Sequence, residues 1–437
     1  MPKGGYVGID NIARKLKKGY VGIDEIARKL KKGYVGIGGV ARPCFTTGLD
    51  YYGQITALSA AREDIAATTV GDYALFAGGY YFNSNANYGV YSIVDIYDTS
   101  LTKRNCLELS VAREDVAATT VGNYALFAGG YNPYDDYSYY DTVDAYDTSL
   151  VRTSHELYYQ RGEMAATTVG NYALFGGGTS YDDDGDIVEA ISATLTRHSC
   201  NSMETSRTHM AATTVGDYAL FGGGMSSIDS TYYYCHPDVD AYNSSLTKIF
   251  EEDVEVWVED EYDPSMGWWD YITIPESLSE GRFWLAATTV GDYALFAGGV
   301  RNQRADSGSA TVDIFNSSLT RTKSQSLSKA RCNLTATTLG KYALFAGGRG
   351  GNFNGHTAIN VGDIERDGEA TVDVVDESLT FTIGHDLAIG RYNLTSTTIG
   401  NYALFAGGYY NIHQQVSMNT WGHVESGYLD TVDVFTI

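Results

Sequence analysis

A short apolar run, YALF, recurs seven times along this chain, each time between a polar turn and a glycine pair or triplet. In full the stretch reads AATTVGDYALFAGG at 66–79 and again at 286–299. Near copies stand at 117–130, 165–178, 211–224, 335–348 and 395–408. Four apolar residues closed by glycine at both ends describe a short strand buried on both faces. The AATT before it is small and β-branched, as a crowded innermost strand requires. V-G-[DN] between the two is turn chemistry, because Gly and Asn tolerate positive φ. A third strand follows (VDIYD 94–98, VDAYD 143–147, VDIFN 312–316, VDVVD 372–376), and a fourth lies beyond an SLT turn. The second glycines of the pairs fall at 79, 130, 178, 224, 299, 348 and 408, steps of 51, 48, 46, 75, 49 and 60. A period near fifty residues with four strands and no helical periodicity predicts an all-β chain of propeller blades.

These units resemble kelch repeats. The double glycine, the aromatic just upstream and the Val-Asp-x-aromatic-Asp strand carry the resemblance through residues 51–437, and it implies a seven-bladed kelch-type β-propeller. Two departures stand out: SLT-type sequence replaces the tryptophan usual in the fourth kelch strand, and blade three reads IVEAISATLT. The last unit stops after its third strand at 432–437, while 50–62 matches the fourth strands. The N-terminal strand, about 50–62, is therefore expected to complete the C-terminal blade and remove the free edges. The expected organisation is a basic repeat segment over 1–43 and a propeller over 44–437, with an insertion at about 250–274.

In such a blade the turns between strands one and two, and three and four, share one face. Here they hardly vary. The loops between strands two and three lie on the other face and differ in every blade, for example YYFNSNANYGVYS (80–92), YNPYDDYSYYDT (131–142) and MSSIDSTYYYCHPD (225–238). Rich in Tyr, Ser, Asn, Gly and Asp, they have the chemistry of antibody binding loops. The repeated strands read as scaffold and the loops as the variable, functional part.

Fifteen residues before each second glycine, where the inner strand enters from the variable face, stand Asp64, Asp115, Glu163, His209, Trp284, Asn333 and Asn393. The kelch resemblance implies that ligand contacts sit here in peptide-binding propellers, so these seven are candidate ligand-binding residues. Two positions earlier every copy has arginine (Arg62, Arg113, Arg161, Arg207, Arg282, Arg331, Arg391), expected to tie blade to blade through hydrogen bonds. All five tryptophans fall in inserts or loops; Trp257, Trp268, Trp269 and Trp421 join Trp284 as candidate platforms for sugar rings. The insertion 251–274 alternates like a strand pair around a Pro-containing turn.

Charge narrows the partners. Thirty basic and 54 acidic side chains give a net −24. Residues 1–43 hold ten Lys or Arg against three acids, which leaves −31 on the rest. That field disfavours nucleic acid. Five dispersed cysteines are expected to be ordinary buried thiols. No secretory leader or apolar span of membrane length is read, so insertion in a membrane is not expected and the location is expected to be cytoplasmic or virion-associated. The acidic run at 181–189 misses the helix-loop-helix calcium spacing. His209, His236, His356, His413 and His423 all map to the variable face. A copper site like that of galactose oxidase needs two His and two Tyr at matching places, and nothing in the sequence fixes them, so no metal or cofactor is expected.

The tail holds three fourteen-residue repeats beginning GYVGI. They fit hairpins with Asp-Asn and Gly-Gly turns, the favoured reading, or short basic helices capped by Asp10 and Asp24. Such tandem repeats joined to a propeller resemble those of phage and prophage proteins, which implies docking onto a larger assembly. The expected function is a non-enzymatic recognition module for a surface glycan or protein, an adhesin of phage or cell-surface type. The alternatives are a carbohydrate-active enzyme of the sialate-mutarotase or galactose-oxidase kind and a virion or envelope assembly protein. An enzyme should concentrate fixed polar groups at the central channel; a binder should spread contacts over the loops and the tryptophan insert.

Overall fold

The computed structural model describes the chain apart from residues 1–5, 10–11, 16–19, 24–25, 30–31, 38–39, 47, 84–86, 136–137, 182–184, 228–232, 250–251, 260–266, 275, 302–307, 323, 351–363 and 418–419. Side chains are also left undescribed at 6–46, 83, 87, 252–274, 364–366, 413–417 and 420–424. Seven four-stranded antiparallel sheets form a seven-bladed β-propeller. Blade one runs Ala66–Val70, Tyr73–Ala77, Val94–Asp98 and Lys103–Arg104 outward from the axis, and the other blades repeat this order. Blade seven consists of Thr395–Ile399, Tyr402–Ala406 and Val432–Thr436, completed by Asp50–Gln54 from the N-terminal side. The expected closure is thus present. Beyond Gln54 the segment stays bonded to the same blade through Ile55 N–H to Val432 O and Leu58 N–H to Asp430 O.

The core is cut into seven layers, one at each blade junction. Ala74 and Phe76 of the blade-one YALF strand pack toward blade seven, whereas Leu75 and Ala77 pack toward blade two. Ala74 to Ala77 are fully buried while Tyr73 is half-buried, so the repeat retains its apolar residues. AATT does a different job. Thr120 Oγ1 donates to Thr69 O of the preceding blade at 2.5 Å and shares a hydrogen with Thr68 Oγ1 at 2.7 Å. Thr168 and Thr214 repeat the first bond at 2.7 and 2.5 Å, and Thr69 closes the ring onto Thr398 O at 2.7 Å. A girdle of hydroxyls therefore stitches the innermost strands together around the channel.

The seven arginines are fully buried, and each forms an ion pair with the acid of its blade's third strand. Arg113 meets Asp144 at 2.9 Å and Arg391 meets Asp433 at 2.8 Å. In blade three Glu189 replaces the aspartate and still holds Arg161 at 2.6 Å, so the departure in sequence preserves the pair. The link between blades differs from the expected one. The arginine side chain works within its own blade, as Arg62 does on Gly78 O and Asp95, while its backbone carbonyl receives Gly408 N–H from the blade before. The glycine pair permits this approach: a Cβ on Gly78, at φ +69°, would stand 2.6 Å from Arg113 O.

The constant-face turns hold a further regularity. Leu101, Leu150, Leu195, Leu246, Leu319 and Leu379 of the SLT and related turns all adopt φ between 57° and 62°. Leucine rarely takes this conformation. Burial of Leu101 and Leu319 between blades offsets its strain. In the tail, Tyr6–Ile9 pairs with Ile12–Lys15, Tyr20–Ile23 with Ile26–Lys29, and Lys32–Ile37 with Val40–Thr46. The hairpin alternative holds and the helical one does not.

Candidate functional site

The inner strands enter from the variable face through a turn that is alike in all blades. Asp64, Asp115, Glu163, His209, Trp284, Asn333 and Asn393 each adopt φ between 51° and 56°. Left-handed backbone suits Asn, Asp and His but is unusual for Trp and Glu, so the position is imposed by the fold and its side chain is left free to vary. Backbone bonds run from blade to blade around this mouth: Asn393 N–H donates to Asn333 O at 3.1 Å, Asn333 N–H to Trp284 O at 3.0 Å, and Trp284 N–H to His209 O at 3.2 Å.

Five of the seven predicted residues (Asp64, His209, Trp284, Asn333, Asn393) line one cavity of about 230 Å³. Beneath it a second space, of about 340 Å³, is walled by Ile65, Val116, Met164, Met210, Leu285 and the alanines of the inner strands. Polar groups therefore crown a shaft whose side chains are mostly apolar. One side of the crown is amide and aromatic. Asn333 Nδ2 donates to Asn393 Oδ1 at 2.6 Å, Asn393 Nδ2 donates to Glu63 Oε2 at 2.9 Å, and the His209 ring meets Trp284 edge-on at 5.4 Å. His209 Nδ1 lies 3.3 Å from Glu163 Oε2, which also accepts Thr208 Oγ1–H at 2.5 Å. Burial nonetheless holds His209 below the ordinary imidazole range, against the opposing pull of Glu163.

The other side is acidic, and two of its members were not anticipated. Glu63 and Glu114, one residue before Asp64 and Asp115, add their carboxyls to the crown. Loss of water, reinforced by mutual repulsion, pushes Glu114 up to about 8 and Asp115 to about 7, and Asp64 rises well above the usual carboxylate range. Burial also lifts Glu63 to about 7. A signal for the pair existed in the sequence: only blades one and two read Arg-Glu-Asp at this point.

Around the mouth stand the loop aromatics. Tyr88 stacks on Tyr134 at 4.8 Å, Tyr81 on Tyr91 at 4.5 Å, and Tyr139 packs against Tyr131 at 4.8 Å and Tyr181 at 5.2 Å. Ile364–Arg366, Tyr409–Ser417 and Thr420–Tyr428 join the loops of blades six and seven in a three-stranded sheet that the sequence did not reveal. The insertion is a hairpin, Glu252–Glu259 with Gly267–Ile274, as its alternation predicted. It places Trp257 opposite Trp269 and Val258 opposite Trp268 along the backbone. The side chains of Trp257, Trp268, Trp269 and Trp421 lie outside the described residues, as do His356 and the side chains of His413 and His423. His236 is buried and held by Asp238 at 3.1 Å and Ser226 at 2.9 Å. Asp182, Asp183 and Asp184 of the acidic run fall outside the described residues. Cys106, Cys200 and Cys235 are half-buried and Cys332 is buried; burial raises all four thiols.

Fold and mouth together define a seven-bladed propeller with a variable crown on a repeated frame. Among solved structures the chain is similar to that of YjhT, a propeller, at 10% identity and a TM-score of 0.50, over 76% of this chain and 99% of the other. That likeness shows the fold alone. No family model and no curated protein matches the sequence.

Proposed function

We propose that this kelch-type propeller is a recognition module that binds a surface glycan or protein through its variable face, with the basic hairpin tail as attachment element to a phage particle or cell surface. One observation carries the reading. Every strongly exposed aromatic ring among the described residues (Phe82, Tyr88, Tyr134, Tyr158, Tyr159, Tyr181, Tyr234) lies on a two–three loop or a blade connection of that face. Exposed aromatic clusters mark interaction surfaces, since soluble proteins otherwise cover them. The opposite face, built of short repeated turns, exposes no ring so strongly among the described residues; its turn tyrosines such as Tyr73 are half-buried.

A second reading has support of its own. Fixed polar groups do gather at the channel mouth, and the Glu163–His209 contact beside Trp284 suits acid–base chemistry on a sugar. The test applies the full chain to a glycan array and to bacterial surfaces, beside Trp268→Ala/Trp269→Ala/Trp284→Ala and Tyr88→Ala/Tyr134→Ala variants. Binding that either set abolishes supports recognition through this face. Turnover of a bound sugar that His209→Ala removes, with binding retained, supports the enzyme. Binding untouched by both variant sets sends the target elsewhere on the molecule.

A further inference from the structure

We infer that the acidic half of the mouth receives a cationic side chain, arginine or lysine, presented by a segment of a partner polypeptide. The inference rests on the recognition reading above and selects, from glycan or protein, a protein with positive charge at its tip.

Glu63, Asp64, Glu114, Asp115 and Glu163 occupy three consecutive blade entries, and four of them raise one another's affinity for protons or that of Asp64. Among the described residues no Lys or Arg pairs with any of the five. The carboxylates of Asp64, Asp115 and Glu114 accept no hydrogen bond there either. Asp64 is closely surrounded by protein, yet its side chain lines the open cavity with Trp284 and Asn393. Elsewhere in this propeller each buried acid of a third strand has its arginine, so the bare crescent is an exception within its own architecture. A group of like charges without a counter-charge weakens the fold and strengthens any cation that arrives.

The chemistry of that cation is constrained on three sides. No three His, Cys, Asp or Glu of the described residues stand close enough together to hold a metal ion, so the negative charge is spread for something larger. Tyrosines are anchored to the acids themselves. Tyr80 exchanges both backbone bonds with Glu63, at 3.1 and 2.9 Å, and Tyr131 does the same with Glu114, at 3.0 and 2.9 Å. Carboxylates with tyrosines on the adjoining strand positions match a guanidinium or ammonium on an alkyl stem. Finally, an acidic sugar is repelled by this crescent, and a neutral one can donate its hydroxyls to the carboxylates but brings no counter-charge.

The test uses the full chain and a short probe, acetyl-Gly-Tyr-Arg-Tyr-Gly-amide, with its Gln counterpart, titrated calorimetrically at about pH 8. One variant removes three charges at the mouth, Asp64→Asn/Glu114→Gln/Asp115→Asn; Asn already stands at this turn in blades six and seven. The other removes three from the exposed constant-face turns, Asp72→Asn/Asp217→Asn/Asp292→Asn, where other blades carry Asn. Tighter binding of the Arg probe than the Gln probe, lost by about tenfold or more in the mouth variant and held within about twofold in the other, is the expected result. Glu114→Gln alone gives a smaller loss of the same sign and covers failure of the triple variant to fold. Equal losses in both triple variants, or no preference for Arg, overturn the inference. So does binding of a glucosamine oligomer at the mouth without binding of the peptide. If the target is still bound through Tyr88 and Tyr134 while the Arg probe is ignored, the inference falls and recognition through the face stands.

Discussion

Replacing Asp115 with Asn should stabilise the protein, and only where the carboxyl is ionised. Asp115 titrates at about 7 in the folded chain against an ordinary value of 3.8, because burial and then Glu163 and Glu63 disfavour its charge. At about 1.4 kcal/mol per pH unit, the full shift corresponds to about 4 kcal/mol. The side chain keeps partial contact with solvent and its neighbours share the repulsion, so about 1–3 kcal/mol is expected. The sign follows from proton binding. With its folded value raised, the native state holds more protons than the unfolded one between about pH 4 and 7. Stability therefore falls as pH rises through that window and stays low above it. Asn cannot ionise and escapes the loss, while Asn333 and Asn393 hold the same turn at φ 52° and 51°. Urea unfolding of parent and variant at about pH 8 and pH 4 checks this. The gain should be present at the higher pH and absent at the lower. A destabilised variant at pH 8, or an equal gain at both, refutes the picture of an unneutralised acidic crown.

Three further outcomes test the frame. Arg113→Met takes from Asp144 its closer, fully buried cation and leaves only Arg152 at 3.6 Å, and should destabilise by about 3 kcal/mol in denaturant unfolding. Thr120→Val removes a girdle hydroxyl and strips Thr69 O of a donor, for a loss of about 1–2 kcal/mol by the same measurement. Removal of residues 1–43 should leave the main calorimetric transition in place, whereas removal of 1–54 takes the closing strand with it and should lower and broaden that transition.

The frame could be read from the sequence because it is repeated. YALF, the glycine pair and the arginine each solve one local problem, and seven copies in phase expose the solution. Ring closure was legible for a similar reason, since a fourth strand at 50–62 precedes the first unit and the last unit stops after its third. The mouth was legible in outline: five of the seven residues at one register position share a cavity. Glu63 and Glu114 escaped notice because they stand one residue away, where the other blades carry Gly, Thr, Phe, Cys and Tyr. The sheet uniting Ile364–Arg366 with Tyr409–Ser417 depends on two long loops from different blades, and no local pattern sets that register. The left-handed Leu, Trp and Glu run against residue preference. They are imposed by blade geometry, which composition does not reveal.

The most direct test of a constant frame carrying a variable recognition face is a hydrogen-exchange footprint of the full chain with its captured target. Protection is predicted in the loops 80–92, 131–142 and 225–238 and at the mouth residues 63–64 and 114–115. Protection concentrated on the V-G-[DN] and SLT turns instead contradicts the account.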